Sequence, residues 1–194
     1  MNIFIIDDHP LMREAIGMLI RRLSATAVVT ELDRIAVVTL AVATHGKPEL
    51  ICLDLKLPDT NGVSGIRELK NRYPDVPIVV LTASSASDYE DLAMEAGASA
   101  FVEKSAGAAE ITNVLRAFIT EQIDTEPTVS HGKLSKRQKQ LLILLDKGLS
   151  NRDIAEALQI SEHTVKVHLW RLFRRLNVKS RSQASHLART QGLL

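Results

Sequence analysis

The stretch Ile51-Cys52-Leu53-Asp54-Leu55-Lys56-Leu57-Pro58 sets an aspartate inside an apolar run, just before a proline-containing loop. Residues 50–53 are consecutively apolar and read as a buried strand. A buried carboxylate without a partner is costly, because loss of water disfavours its charged form. Asp54 therefore either ends the strand and faces water, or stands at the strand tip as a nucleophile or metal ligand. The stretch alone supports both readings equally.

The flanking sequence breaks the tie. Short apolar segments, most of them rich in β-branched residues, recur at residues 2–6, 27–30, 50–53, 78–81 and 100–102. Between them lie segments with helical spacing, such as Leu11-Ala15-Met18-Leu19-Leu23, Leu92-Met94-Ala96 and Ile111-Val114-Leu115-Phe118. Strands alternating with helices predict an α/β fold around a parallel, doubly covered sheet. In such sheets chemistry belongs at the carboxyl ends of the strands. The first strand ends in Asp7-Asp8, the third in Asp54, the fourth in Thr82-Ala83-Ser84 and the fifth in Glu103-Lys104. Three neighbouring carboxylates repel one another unless a cation intervenes, and hard oxygen ligands of this kind suit Mg²⁺. A carboxylate held there can attack a phosphoryl group to give an acyl phosphate. Thr82 could then hydrogen-bond a phosphoryl oxygen, and Lys104 could neutralise one as a point charge.

Charge divides the chain. Residues 1–130 carry 11 Lys and Arg against 19 Asp and Glu, whereas residues 131–194 carry 13 against 4. Opposite charge on the two parts predicts two modules with different partners, the basic one a candidate for nucleic acid. The 194 residues suffice for either one large domain or two small ones. The sign changes across a polar stretch, residues 121–133, that reads as a linker between domains at 1–120 and 134–194. No apolar run approaches the ~20 residues that span a bilayer, and no signal segment opens the chain. Cys52 is the single cysteine, so no intramolecular disulfide forms, and its apolar setting reads as core. These features predict a soluble cytoplasmic protein with no membrane partner.

The basic part is helical throughout. Leu134-Ser135-Lys136-Arg137-Gln138 opens one helix, and Gly148 closes it. Ser150-Asn151-Arg152-Asp153 has the form of a capping box and starts a second helix over Ile154, Ala155 and Leu158. After a short turn Ser161 opens a third, residues 162–176, so the pair reads as helix-turn-helix, with its second helix in the major groove of double-stranded DNA. Val165, Leu169, Leu172 and Leu176 form its inward stripe, leaving Lys166, Val167, Trp170, Arg171 and Arg174 opposite. That face is expected to expose Val167 and Trp170, whose apolar surface suits thymine methyl groups. A dimer contact or cover by the acidic domain are the alternatives for Trp170.

The strand-end residues, within IIDDHPLMREAI, LDLKLPDTNG, VVLTAS and AFVEKSA, resemble the receiver domain of two-component response regulators over roughly residues 1–120. The resemblance implies a flavodoxin-like fold of five strands. It also implies that Asp7 and Asp8 are the acidic pair, Asp8 ligating Mg²⁺ directly, and that Asp54 is the phosphoacceptor. By the same match the Lys56 backbone carbonyl completes the metal site, Thr82 and Lys104 bind the phosphoryl group, and Phe101 falls at the aromatic switch position. Taken alone, Phe101 reads as core. Lys56 and Ser84 occupy the positions that border the path of attacking water.

The segments LSKRQ, KGLSNRDIAEAL and ISEHTVKVHLWRLFRRLNVKSRSQA resemble the LuxR-type helix-turn-helix domain of the NarL/FixJ class over residues 134–194. This implies four helices, with Lys166, Val167 and Trp170 facing bases and Ser161, Thr164, Arg171, Lys179 and Arg181 as candidates for phosphate contacts. The final helix, about 182–191, is implied to serve dimerisation. Gln138 departs from the family's usual Glu, losing a charge near a helix start. Together the two resemblances imply a transcriptional regulator that takes a phosphoryl group from a sensor histidine kinase onto Asp54, then binds promoter DNA as a homodimer. The receiver is expected to catalyse only its own phosphorylation and dephosphorylation. The competing readings are a Mg²⁺-dependent phosphohydrolase, weakened by the lack of an Asp-x-Asp nucleophile pair, and a constitutive DNA-binding protein.

Overall fold

The apolar, β-branched runs pair into a five-stranded sheet in the computed structural model, which describes residues 1–120, 134, 136–160, 162–178 and 180–193. Its strands are β1 (Asn2–Ile6), β2 (Val28–Leu32), β3 (Leu50–Leu53), β6 (Ile78–Thr82) and β7 (Ala100–Glu103). Their order is β2-β1-β3-β6-β7, and every pair is parallel. Strand–helix alternation does not predict the small antiparallel hairpin of β4 (Lys56–Leu57) and β5 (Thr60–Asn61) that follows β3. The α-helices among the described residues of this unit are α1 (Pro10–Leu23), α2 (Val38–His45), α3 (Ser64–Arg72), α4 (Ala86–Glu95) and α5 (Ala108–Ile119). The sheet is doubly wound and flavodoxin-like, and its order reverses between β1 and β3, where such sheets place their ligands.

Strand alternation divides the core between two faces. Phe4, Ile6, Ile51, Leu53, Ile78, Val80 and Phe101 join one cluster with Ile66 and Leu69 of α3 and Ala93 of α4. Ile3, Ile5, Cys52, Val79 and Leu81, equally buried, alternate with them along the strands. Burial pushes the Cys52 thiol up to about 12, which makes it an unreactive core residue.

Helix α5 buries Ile111, Val114, Leu115 and Phe118, the stripe its periodicity predicts. Helix α1 does not follow its prediction. Leu11 and Met18 of the expected stripe are 81% and 58% exposed, while Ile16, Gly17 and Ile20 face inward. PLMREAIGMLIRRL holds two apolar stripes at helical spacing, and only one can meet the sheet. The side with the two isoleucines and the small Gly17 is the one that does.

The chain divides into two compact units at Asp124 and Thr125. The expected linker, residues 121–133, lies outside the described residues. In the second unit the described helices are α6 (Lys136–Asp146), α7 (Asn151–Leu158), α8 (Glu162–Leu176) and α9 (Arg181–Thr190). Gly148 ends α6 at φ +80°, where its N–H reaches Leu145 and that of Leu149 reaches Leu144. Both halves of the capping box on α7 form, Ser150 Oγ accepting from Asp153 N–H and the Asp153 carboxylate from Ser150 N–H. Val165, Leu169 and Leu172 pack with Leu141, Leu142, Leu145, Ile154, Ala184 and Ala188.

Candidate functional site

The parallel ladder continues one residue beyond the strands and thereby fixes two carboxylates. Asp7 N–H donates to Leu32 O at 3.1 Å, and Asp54 N–H donates to Ile6 O at 2.9 Å. Arg13, from the first turns of α1, donates through Nη1 to the Asp7 carbonyl at 2.6 Å. Asp7 and Asp54 are buried, 1% and 3% exposed, and Asp8 is exposed. Ligand atoms of Asp7, Asp8, His9 and Asp54 all lie within 4.8 Å of one another. Sequence reasoning overlooked His9. Its Nδ1 is 2.7 Å from Asp8 Oδ1, and its backbone N–H donates to Asp7 Oδ1 at 2.9 Å. The only signal for it was its place directly after the acidic pair.

One ammonium answers these carboxylates. Lys104 Nζ donates to Asp54 Oδ2 at 2.5 Å and lies 2.6 Å from Asp7 Oδ2. The other Asp54 oxygen accepts the Lys56 backbone N–H at 3.1 Å. Burial opposes charge on Lys104, but hydrogen bonds and attraction from Asp54 and Asp7 outweigh it and hold the ammonium above its ordinary pKa. Asp7 Oδ2 is buried and meets the same ammonium as an ion pair at 2.6 Å. Three carboxylates gathered within 4.8 Å, two of them sharing a single lysine, offer the hard oxygen donors that fit a divalent cation such as Mg²⁺.

Thr82 ends β6 fully buried, and its hydroxyl pairs with Ser84, 3.4 Å from Ser84 Oγ and 3.3 Å from Ser84 N. Phe101 lies on β7 opposite Val80, 1% exposed within the core cluster, as its surroundings in sequence suggest. The Lys56 side chain is exposed in the hairpin after Asp54.

In the second unit, Thr164, Lys166 and Trp170 stand half-buried on α8. Val167 contradicts the expectation of exposure: it is 0% exposed, although it is absent from the helical core cluster. Arg181 has partners within its own unit. Half-buried at the start of α9, it donates to the Leu149 carbonyl and, at 3.5 Å, to the Asn151 side chain. Its guanidinium thus ties the start of α9 to Leu149 and Asn151. Ser161, Lys179 and the Arg171 side chain lie outside the described residues. Gln138 Oε1 accepts from Arg175 Nη1 at 3.1 Å, a neutral acceptor where a carboxylate would form an ion pair. Among the described residues no helix is long and apolar enough to cross a membrane.

Comparison with known proteins agrees with this architecture. Residues 3–116 match the response regulator receiver domain, and residues 132–188 match the bacterial regulatory proteins of the luxR family. The glycerol metabolism activator of Pseudomonas putida is 32% identical over 94% of this chain and 92% of its own length. The response regulator UvrY of Escherichia coli is 26% identical, covering 99% and 95% of the two chains. A two-component response regulator of the LuxR family from Aurantimonas superposes with a TM-score of 0.54 at 28% identity, over 62% of this chain and 85% of its own. With a receiver-type sheet, acidic cluster and facing lysine in one unit, and a capped helix-turn-helix in the other, the chain belongs to the response regulators that join a receiver domain to a LuxR-type DNA-binding domain.

Proposed function

We propose that Asp54 is the phosphoacceptor of a phosphorylation-controlled transcriptional regulator, served by a sensor histidine kinase. The observation that carries this reading is the meeting of Asp7, Asp8, Asp54 and Lys104 at the point where the strand order reverses. Asp7, Asp8 and Asp54, with the Lys56 backbone carbonyl, would hold Mg²⁺. When bound, the ion supplies positive charge beside the carboxylates and the phosphoryl oxygens.

An Asp54 oxygen forms a bond to phosphorus while the phosphorus–nitrogen bond of the phosphohistidine donor breaks. The electron pair stays on the histidine nitrogen, which takes up a proton. Asp54 thereby exchanges its carboxylate charge for a neighbouring dianion, and Lys104 can move its donors from the carboxylates onto phosphoryl oxygens. The Thr82 hydroxyl leaves Ser84 for the same group, and Phe101, on the strand leading to Lys104, repacks in response. Each new contact favours one conformation of the receiver over the other. Water later returns the carboxylate, so the receiver acts only on its own acyl phosphate.

In the second unit, α8 reads the major groove through Lys166 and Trp170, with Thr164, Arg171, Ser161 and Lys179 on phosphates. The active form is a cytoplasmic homodimer on double-stranded DNA. Incubation with Mg²⁺ and acetyl phosphate should add one base-labile phosphoryl group to the full chain, and Asp54→Asn should add none. Stable labelling of Asp54→Asn at another residue would overturn the assignment.

A further inference from the structure

Glu103, the last residue of β7, reaches across to a different element. Its Oε1 accepts the backbone N–H of Ala86 at 2.6 Å, and its Oε2 accepts the Ser105 hydroxyl at 2.9 Å. Ala86 is the first residue of α4, and Ser85 before it makes no capping bond to that helix. The cap comes instead from a carboxylate 17 residues along the chain, where its negative charge also suits the positive end of the helix. The bond to Ala86 N–H, followed by that from Ser105, holds the Glu103 carboxyl below its ordinary range.

The loop spanned by this bond carries site residues. It begins at Thr82, which pairs with Glu103 in the strand register, and passes through Ser84, whose N–H and hydroxyl both meet Thr82 Oγ1. The β6–α4 loop is thus fixed at one end by the sheet and at the other by Glu103. The next residue, Lys104, contacts Asp54 and Asp7. One dipeptide touches both the phosphoacceptor and the loop that borders it.

We propose that Glu103 is a positioning residue that holds Thr82 and Ser84 in place beside Asp54 and so sets the lifetime of its phosphoryl group. This rests on the reading of Asp54 as phosphoacceptor. In the decay step water attacks phosphorus, the bond to the Asp54 oxygen breaks, inorganic phosphate leaves, and a proton passes to solvent. A loosened loop opens the path of that water.

The test follows decay of the acyl phosphate after labelling the full chain with acetyl phosphate and Mg²⁺, with thermal unfolding measured alongside. Glu103→Ala should still take one phosphoryl group but lose it about fivefold faster, the scale of one net hydrogen bond. Ala86→Pro removes the N–H while keeping a residue favoured at the first helical position, and the extended backbone of Ser85 (φ −62°, ψ 138°) accepts a following proline. It should speed decay by a similar factor, and the double variant should be no faster than either single one. Glu103→Gln keeps the acceptor oxygen and should decay within about twofold of wild type. Unchanged decay in both Glu103→Ala and Ala86→Pro, or effects that simply multiply in the double variant, overturns the proposal. Failure of the wild-type chain to label would instead overturn the reading of Asp54.

Discussion

Replacing Lys104 with methionine isolates the electrostatics of the acidic site. The Lys104 side chain is 10% exposed and its ammonium is the cation that contacts both Asp7 and Asp54, whose side chains are each 2% exposed. Lys104→Met keeps most of the aliphatic volume but leaves two buried carboxylates facing each other. Removing one partner of a buried charge pair costs about 3–5 kcal/mol, because the remaining charge is desolvated and uncompensated. In metal-free protein at neutral pH, with a urea m-value of about 2 kcal/mol/M, the receiver's unfolding midpoint should fall by roughly 1.5–2.5 M. Adding Asp54→Asn removes one offending charge, so the double variant should recover much of the loss, and added Mg²⁺ should do the same for the single variant. The pH dependence has a definite sign. The folded pKa of Lys104 lies above its ordinary 10.5, so its stabilisation is complete below 10.5 and disappears as pH rises through the folded value. Wild type should therefore lose stability in that alkaline window, and Lys104→Met should lack this component. Circular dichroism of urea titrations in EDTA measures all of these. If Lys104→Met unfolds within about 0.5 kcal/mol of wild type, or Asp54→Asn fails to restore it, Lys104 does not stabilise the buried carboxylates.

Further expectations follow from single contacts. Gly65→Ala would place a Cβ 2.6 Å from Ile35 Cδ1 and 3.1 Å from Thr60 Cγ2, so overpacking should destabilise the first unit by about 1–3 kcal/mol in urea unfolding, and no loss would refute that contact. Gln138→Glu should turn the bond from Arg175 into an ion pair at the start of α6 and raise stability by about 0.2–1 kcal/mol, seen as slower amide exchange in the helical unit. Lys166→Ala should cost roughly 1–3 kcal/mol on operator DNA and narrow its margin over scrambled duplex, whereas Arg171→Ala should weaken both alike and reduce the salt slope by about one. Fluorescence anisotropy at several salt concentrations separates the two, and wild-type behaviour from both variants would remove α8 from the reading role. Cys52, buried with its thiol pushed up to about 12, should react with thiol reagents only after unfolding.

The acidic site was legible because its residues sit at the ends of strands that announce themselves locally. Runs such as NIFII and IVVLT are short, continuously apolar and rich in β-branched residues, so Asp7, Asp54, Thr82 and Lys104 could be assigned to one sheet edge before any pairing was known. The capping box of Ser150 and Asp153 was legible for the same reason, since its two residues are three apart. Which of two apolar stripes on α1 turns inward was not legible, because periodicity marks a stripe but not what it meets. Nor was the hairpin after Asp54, whose strands are two residues each, too short to show a period. The engagement of Arg181 with Leu149 and Asn151 and the reach of Glu103 to Ala86 depend on groups distant in sequence. Local pattern determined which elements form and where their polar ends fall. Only the tertiary structure decided which side chains lose water and which charges meet, because desolvation and Coulomb energies depend on distances in space and not along the chain.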